Sequence, residues 1–430
     1  MKRAGVSLTC LVLLAACAAP APLEPKPAPV QPSPVATVVE VQTASRTSPV
    51  PVPVVRPVAS PSPLALPLSV MAGRSGADVR VALNLQFQEQ VFLSAAAMDA
   101  ASGARLDELI GVSGTLDQSS IALAETFGSV KGQPTAEALL DAWRRLVGDL
   151  ILYAQGQQSA ATADLERRRP AFAAQLALPG LSPAAAEDLL RTFLQAQLAL
   201  ADVLVSHDAS QADQRLRSAA AASDALARPL AAAIAAKLPS QAPPPTEGLD
   251  IDLRIALARS LQAHTYLTGA AVDAAADGRN GEAQAFGQTA DLNATDLGTL
   301  LGGVYGPELG TGVADRLRAE TAALVSVASG GDRPQAAADL VRIRGELDGL
   351  LSGANQLLPP GLVGQQLRAS DQPLLTAADA FAARDFGTAF TRLRESARQS
   401  QKAADSVALS IVDRYPARYF ALPTPTPSSD

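Results

Sequence analysis

The sequence predicts an all-α protein: two tandem homologous helical bundles of about six helices each, behind a disordered proline-rich tether. Three observations lead there. Aromatic residues make up only 4% of the 430 residues while alanine and leucine dominate, and these two lose little freedom in a helix. Apolar residues recur at i, i+4 and i+7 or i+8 through 77–416, where period-2 runs are essentially missing. Glycine, proline and aspartate break that pattern at matching places in two halves of the chain.

The first element is an export signal. Lys2 and Arg3 form a charged start, and Val6 to Ala16 is a short apolar run, the pattern of a secretory signal peptide over 1–16. The run ends too soon to span a bilayer, which takes about 20 apolar residues. Leu14-Ala15-Ala16-Cys17 then sets an aliphatic residue and two small ones before a cysteine. These four residues resemble a bacterial lipobox, which implies that Cys17 is acylated and becomes the mature N-terminus. Cys10 has too little apolar sequence before it to serve. Several acyl chains hold a protein on a membrane where one does so only marginally. The expectation is an exported protein anchored by lipid to the cell membrane or outer membrane, its folded part extracytoplasmic.

A tether follows over 17–76. Fourteen prolines fall between Pro20 and Pro67, and no aromatic residue lies between Ala18 and Gly76. Each proline fixes φ and removes a backbone donor, so neither helix nor sheet runs through. At about 3.1 Å per residue such a chain reaches roughly 170 Å at full extension.

The helical part is duplicated at an offset of 174. Laid over 253–306, the stretch 79–132 is identical at 18 of 54 positions. Five of these are alanine, which an alanine-rich chain matches by chance, but Asp99/Asp273, Asp117/Asp291, Gly128/Gly302 and Gly132/Gly306 are not of that kind. Two bundles follow, 77–238 and 250–416, with the proline-rich hinge 239–249 between them. Gly132-Gln133-Pro134 and Gly306-Pro307 read as a helix end and a proline-started helix. Gly103, Asp277-Gly278, Gly156, Gly330-Gly331, Pro179-Gly180, Pro360-Gly361, Asp208 and Asp385 give the remaining turns. Leu253, Leu257, Leu261, His264 and Thr268 form one inner stripe, and Leu139, Trp143, Leu146 and Leu150 another. The residues 417–430, ending in PTPTPSSD, read as a disordered tail.

At FGSVKG (127–132) and LGGVYG (301–306) the repeat resembles a bacterial exported helical domain of unassigned activity, found near copper amine oxidase N-terminal-like segments. That family carries a run of the form L-D-x-N-S-x-D-L-S-x-A-I-G-S-V-Y-G, then W-R-x-H-I. Leu116, Asp117, Ser119, Leu123, Gly128, Ser129, Val130 and Gly132 match it, as do Asp291, Asn293, Leu297, Gly302, Val304, Tyr305 and Gly306. Trp143-Arg144 keeps the second motif, but Leu146 and Glu320 stand where the family has histidine, and Leu317 replaces the second tryptophan. The resemblance spans about 330 residues and implies a fold and an exported setting, not a reaction.

Chemistry-bearing candidates are few. The net charge of −7 becomes −9 once Lys2 and Arg3 leave with the signal peptide, which argues against nucleic acid as a partner. Arg167-Arg168-Arg169 reads as a solvated helix face or end. Cys10 and Cys17 are the only cysteines, so the bundles contain neither a disulfide nor a thiolate metal site. Of two histidines, His207 sits in a turn and reads as a surface residue. His264 lies on an inner stripe, where a bundle can build a metal site from facing helices; Asp291 and Asn293 are its weak companion candidates. The plainer reading is a core histidine with one polar partner. Trp143 reads as core. No EF-hand, G-x-S-x-G or P-loop pattern is present. The expected function is non-enzymatic and cofactor-free: binding or scaffolding in the cell envelope, with an envelope protein or small ligand as partner. A metal-binding or small-ligand sensory module is the alternative.

Overall fold

A computed structural model describes residues 75–237 and 245–420. The signal peptide, Cys17, nearly all of the tether, hinge residues 238–244 and the tail from 421 lie outside the described residues. Among the described residues the fold is all-α, with thirteen helices and no strand: α1 (Ser75–Ser102), α2 (Leu106–Lys131), α3 (Gln133–Ala154), α4 (Gln158–Leu176), α5 (Pro183–Val205), α6 (Ala209–Ala235), α7 (Leu249–Ala276), α8 (Asn280–Tyr305), α9 (Pro307–Ala328), α10 (Arg333–Ala354), α11 (Leu362–Ala382), α12 (Phe386–Arg414) and α13 (Pro416–Tyr419). One antiparallel bridge, Leu178 to Leu181, tightens the turn between α4 and α5.

The helices repeat with the sequence. α7, α8 and α9 begin and end 174 residues after α1, α2 and α3. Gly132 and Gly306 end α2 and α8 in the same way, at φ 88° and 107°, each donating its N–H to the carbonyl four residues back. Pro134 and Pro307 then start the next helix, where a missing N–H goes unfelt. The other motif glycines act by their smallness. A Cβ on Gly128 would stand 2.8 Å from that of Ala136, and one on Gly298 would stand 2.5 Å from the Gly310 carbonyl oxygen. The α8–α9 pair therefore crosses backbone to backbone, while α2 meets α3 through the Ala136 methyl. Ser182, Asp332 and Asp385 cap α5, α10 and α12 by accepting from the N–H three residues on.

The two sets of helices meet along α1 and α7. Arg80 reaches the Thr246 carbonyl at 2.8 Å and Asp252 at 2.6 Å. Farther along, Arg259 donates to Asn84 at 2.9 Å, and Phe92 stacks on Tyr266 at 5.4 Å between ring centroids. The sequence separation stays near 174 along the whole contact, so the two helices run parallel, in register, about a local pseudo-two-fold axis. Gln88 donates to the Arg259 carbonyl at 2.8 Å and Gln262 to the Leu85 carbonyl at 3.1 Å, each bond the counterpart of the other.

Both hydrophobic cores draw on both halves. The first gathers α1–α6 around Trp143, Phe87, Phe172 and Phe193 and takes in Tyr266, Phe381 and Phe390. The second gathers α7–α12 and takes in Ala77, Val81 and Leu85 from α1. The described residues all belong to one compact unit, Ser62–Asp430.

Two local features differ from the sequence reading. α13 occupies the first residues assigned to the tail, because Tyr419 and Phe420 pack against the second core. The arginine run is also less solvated than a charge run suggests. α4 continues through Pro170, Arg168 is bound to Asp149 at 2.7 and 2.9 Å, and Arg169 is 12% exposed between Glu166 and Glu187.

Candidate binding cleft between the two halves

At the C-terminal ends of α1 and α7 the chain turns sharply, and the two turns carry the same three charged residues. Asp99, Arg105 and Glu108 come from the first half, and Asp273, Arg279 and Glu282 from the second, each 174 residues on. The turns are built alike: Arg105 N–H donates to the Ala100 carbonyl at 2.9 Å and Arg279 N–H to the Ala274 carbonyl at 2.8 Å. A residue with positive φ precedes each arginine, Ala104 at 54° and Gly278 at 72°. This throws the guanidinium back over the helix end it has just left.

The arginines hold the cluster together. Arg105 binds Asp99 and, at 2.6 Å, Glu108. Arg279 binds Asp273 and Glu282, and it reaches across the pseudo-axis to Asp99 at 3.6 Å and Glu108 at 3.8 Å. Four carboxyl groups thus stand against two guanidiniums. Burial raises the carboxyl pKa values of Asp99 and Glu108, with Arg105 opposing in both cases. Asp273 is pushed up to about 7, by burial first and the Glu108 carboxylate second, against the pull of Arg279.

Above this cluster lies a cleft of about 660 Å³, counting space open to solvent. Phe92, Ala96 and Asp99 of α1 face Tyr266, Ala270 and Asp273 of α7 across it. It adjoins a second hollow of about 460 Å³ between α6 and α8, and the two share Asp99, Leu204, Ala212, Leu216 and Phe286. His207, in the left-handed region at φ 51°, stands at the edge of that second hollow.

The two sides of the pseudo-axis differ: on one, the second hollow opens between α6 and α8. On the other, α2 lies so close to the start of α12 that a Cβ on Gly111 would stand 2.5 Å from that of Phe386. The residue 174 positions on is Ala285, which lines the hollow between α6 and α8.

The sequence-predicted candidates lie elsewhere. His264 is buried, its Nε2 3.7 Å from Glu320 and both ring nitrogens without a hydrogen-bond partner. Asp291 is exposed and bound to Arg318 at 3.1 Å, while Asn293 donates to the Ser260 carbonyl at 2.9 Å. The structure does not bring these three together, and among the described residues no group of three His, Cys, Asp or Glu is placed to hold a metal ion. Cys17 lies outside the described residues. His207 is exposed and Trp143 buried. Asp117 is bound to Arg144 at 2.6 and 2.9 Å, the counterpart of the Asp291–Arg318 pair, so this motif aspartate ties α2 to α3.

The position of Glu320, given to histidine by the resemblance, proves to be the centre of a buried ionic network. Arg344 grips Glu320 at 2.6 and 2.8 Å and Asp371 at 2.8 Å. Burial works to raise the Glu320 pKa, but Arg344, with help from His264, holds it far below the ordinary carboxylate range. The first half is wired differently at the matching place. Gln90, the counterpart of His264, accepts from Trp143 Nε1 at 3.0 Å and donates to Ser120 at 3.3 Å.

Sequence reasoning passed over the charged cluster. The signal was present: Arg105/Arg279 and Glu108/Glu282 are among the identical positions of the repeat, and paired charges retained in a buried turn are expensive unless they are used.

No protein-family model, curated protein or solved structure matches the chain.

Proposed function

We propose that this chain is an exported, non-enzymatic binding protein, anchored at a membrane through acylated Cys17, that takes a small ligand into the cleft between α1 and α7. The observation that carries the binding reading is the cleft itself: apolar walls over a cluster of buried, partly opposed charges. Apolar clefts with a few convergent polar groups and shifted pKa values are the usual form of small-ligand sites. The anchoring reading rests on the Leu14–Cys17 pattern and on the tether behind it. No helix among the described residues is long and apolar enough to cross a membrane. The resemblance at FGSVKG and LGGVYG agrees with an exported setting.

Each half has its own test. Expressed in a bacterial host, the Cys17→Ser chain loses acylation and partitions into the soluble fraction; a variant that remains at the membrane as tightly as the parent overturns the anchor. For the cleft, a thermal-shift screen of small molecules compares the parent with Leu216→Trp, which fills the space between α5, α6 and α7. Compounds that stabilise the parent but not the filled variant support the reading, and equal shifts in both overturn it.

A further inference from the structure

Beside the cleft lies a carboxyl oxygen that the fold itself leaves without a partner. The Asp273 side chain is only 10% exposed. Arg279 takes its Oδ2, while Oδ1 is buried with no hydrogen-bond partner. While Asp273 keeps its proton the free oxygen can carry it; once the group ionises that oxygen only accepts, so whatever completes the carboxylate there must donate. The surrounding cluster carries more carboxylates than guanidiniums, so a donor with positive charge is favoured over a neutral one. The remaining walls, Phe92, Ala96, Ala270 and Phe286, offer apolar and aromatic surface, so the same ligand has an apolar body to bury.

Resting on the reading that this cleft is a ligand site, we propose that it takes an amphipathic primary amine. The ammonium donates to Asp273 Oδ1, and the apolar body lies along the Phe92–Tyr266 stack toward Phe286. Entry is from the α6–α8 side, since Gly111 lets α2 and α12 close the other. A bare divalent cation fits less well, because Arg105 and Arg279 already occupy the carboxylates it would need.

The test is calorimetric titration of the purified full chain near neutral pH with phenylbutylamine, phenylbutanol and phenylbutanoate, which share one apolar body. Spermidine and calcium chloride serve as charge without that body. The amine is expected to bind at least tenfold more tightly than the alcohol, the carboxylate more weakly still, and Asp273→Asn to remove the amine's advantage while the alcohol binds as before. Repeating the amine titration in buffers of different ionisation heat reads proton exchange on the unaltered protein. Ion pairing ionises Asp273, so binding near pH 6 releases protons and binding near pH 9 does not. The charged groups around Asp273 are Asp99 from α1, Arg105 and Glu108 from α2, Arg279 and Glu282 from α8, and Asp277 from the turn between α7 and α8. Equal binding of amine and alcohol, or stronger binding of spermidine or calcium, overturns the amine and leaves a cleft that binds something else. No binding by any of the three phenyl compounds overturns the cleft as well. If Asp273→Asn fails to fold, proton release decides, and its absence near pH 6 overturns the contact with Asp273.

Discussion

Gln88 and Gln262 perform the same act on each other's helix: each side-chain amide donates to a backbone carbonyl across the α1–α7 contact, and the two bonds exchange under the 174-residue offset. The contact is therefore an isologous interface inside one chain, of the kind a two-fold dimer makes between subunits. Equivalent bonds have equivalent worth. Gln88→Leu and Gln262→Leu are each expected to lower stability by about 1 kcal/mol in urea unfolding, and a gap between them much larger than that counts against the pseudo-symmetry.

Asp273 makes stability depend on pH in a defined direction. Its folded-state pKa of about 7 lies above the ordinary 3.8, so the folded chain holds a proton that the unfolded chain has released. The stability from this group is complete below about pH 4 and is lost as pH rises toward 7. Asp273→Asn keeps an acceptor for Arg279 and removes the buried charge. It is expected to be more stable than the parent at pH 8, by on the order of 1–3 kcal/mol, with the advantage shrinking to nothing near pH 4. A constant difference across that range counts against the assignment.

Glu320 works the other way. Its pKa is held down in the folded state, so its contribution is present above the ordinary carboxylate value and is lost as the pH falls well below it. Glu320→Gln leaves Arg344 buried with half its pairing and is expected to cost about 3–5 kcal/mol at pH 7, less in acid. Replacing the whole network, Glu320→Leu with Arg344→Met and Asp371→Leu, is expected to cost far less than the single change, because no charge is then left unpaired. Guanidinium unfolding curves at two pH values check both.

Gly111 and Ala285 hold equivalent positions with unequal surroundings. Gly111→Ala forces α2 away from Phe386 and is expected to cost about 1–3 kcal/mol. Ala285→Gly touches an open hollow and is expected to cost no more than about 1 kcal/mol, the ordinary penalty for glycine in a helix. Thermal melts of the two variants rank them, and a reversed order removes the steric account of why one side is closed.

Much of the fold was legible because it is written twice. A 3.6-residue period with no competing alternation fixes the class, and the glycine–proline breaks at 132–134 and 306–307 fall where α2 and α8 end. The offset that aligned Gly128 with Gly302 also describes helix bounds to the residue through α3 and α9. The packing of the halves was not legible. A stripe says that a helix has a buried face, but α1 is buried on nearly every side, and nothing in its period says that one of those sides belongs to a helix 174 residues away. The site was missed for a related reason. The sequence points to histidine and to the motif aspartates, whose places in the fold are a buried ring beside Glu320 and two surface ties between helices. Asp99 and Asp273 were seen as landmarks of the duplication, and only the turn geometry that returns Arg105 and Arg279 over them reveals a charged floor.

The parallel register of α1 and α7 also sets an order in time. α1 is the first of these helices to be synthesised, yet Leu85, Val81 and Ala77 belong to the second core. At roughly 5–20 residues per second, some 9–35 s of translation separate α1 from the helix that covers it. Until then an apolar flank stays uncovered, and contacts so distant along the chain close slowly. The earliest helix is the last to be finished, which makes α1 the segment most in need of a chaperone.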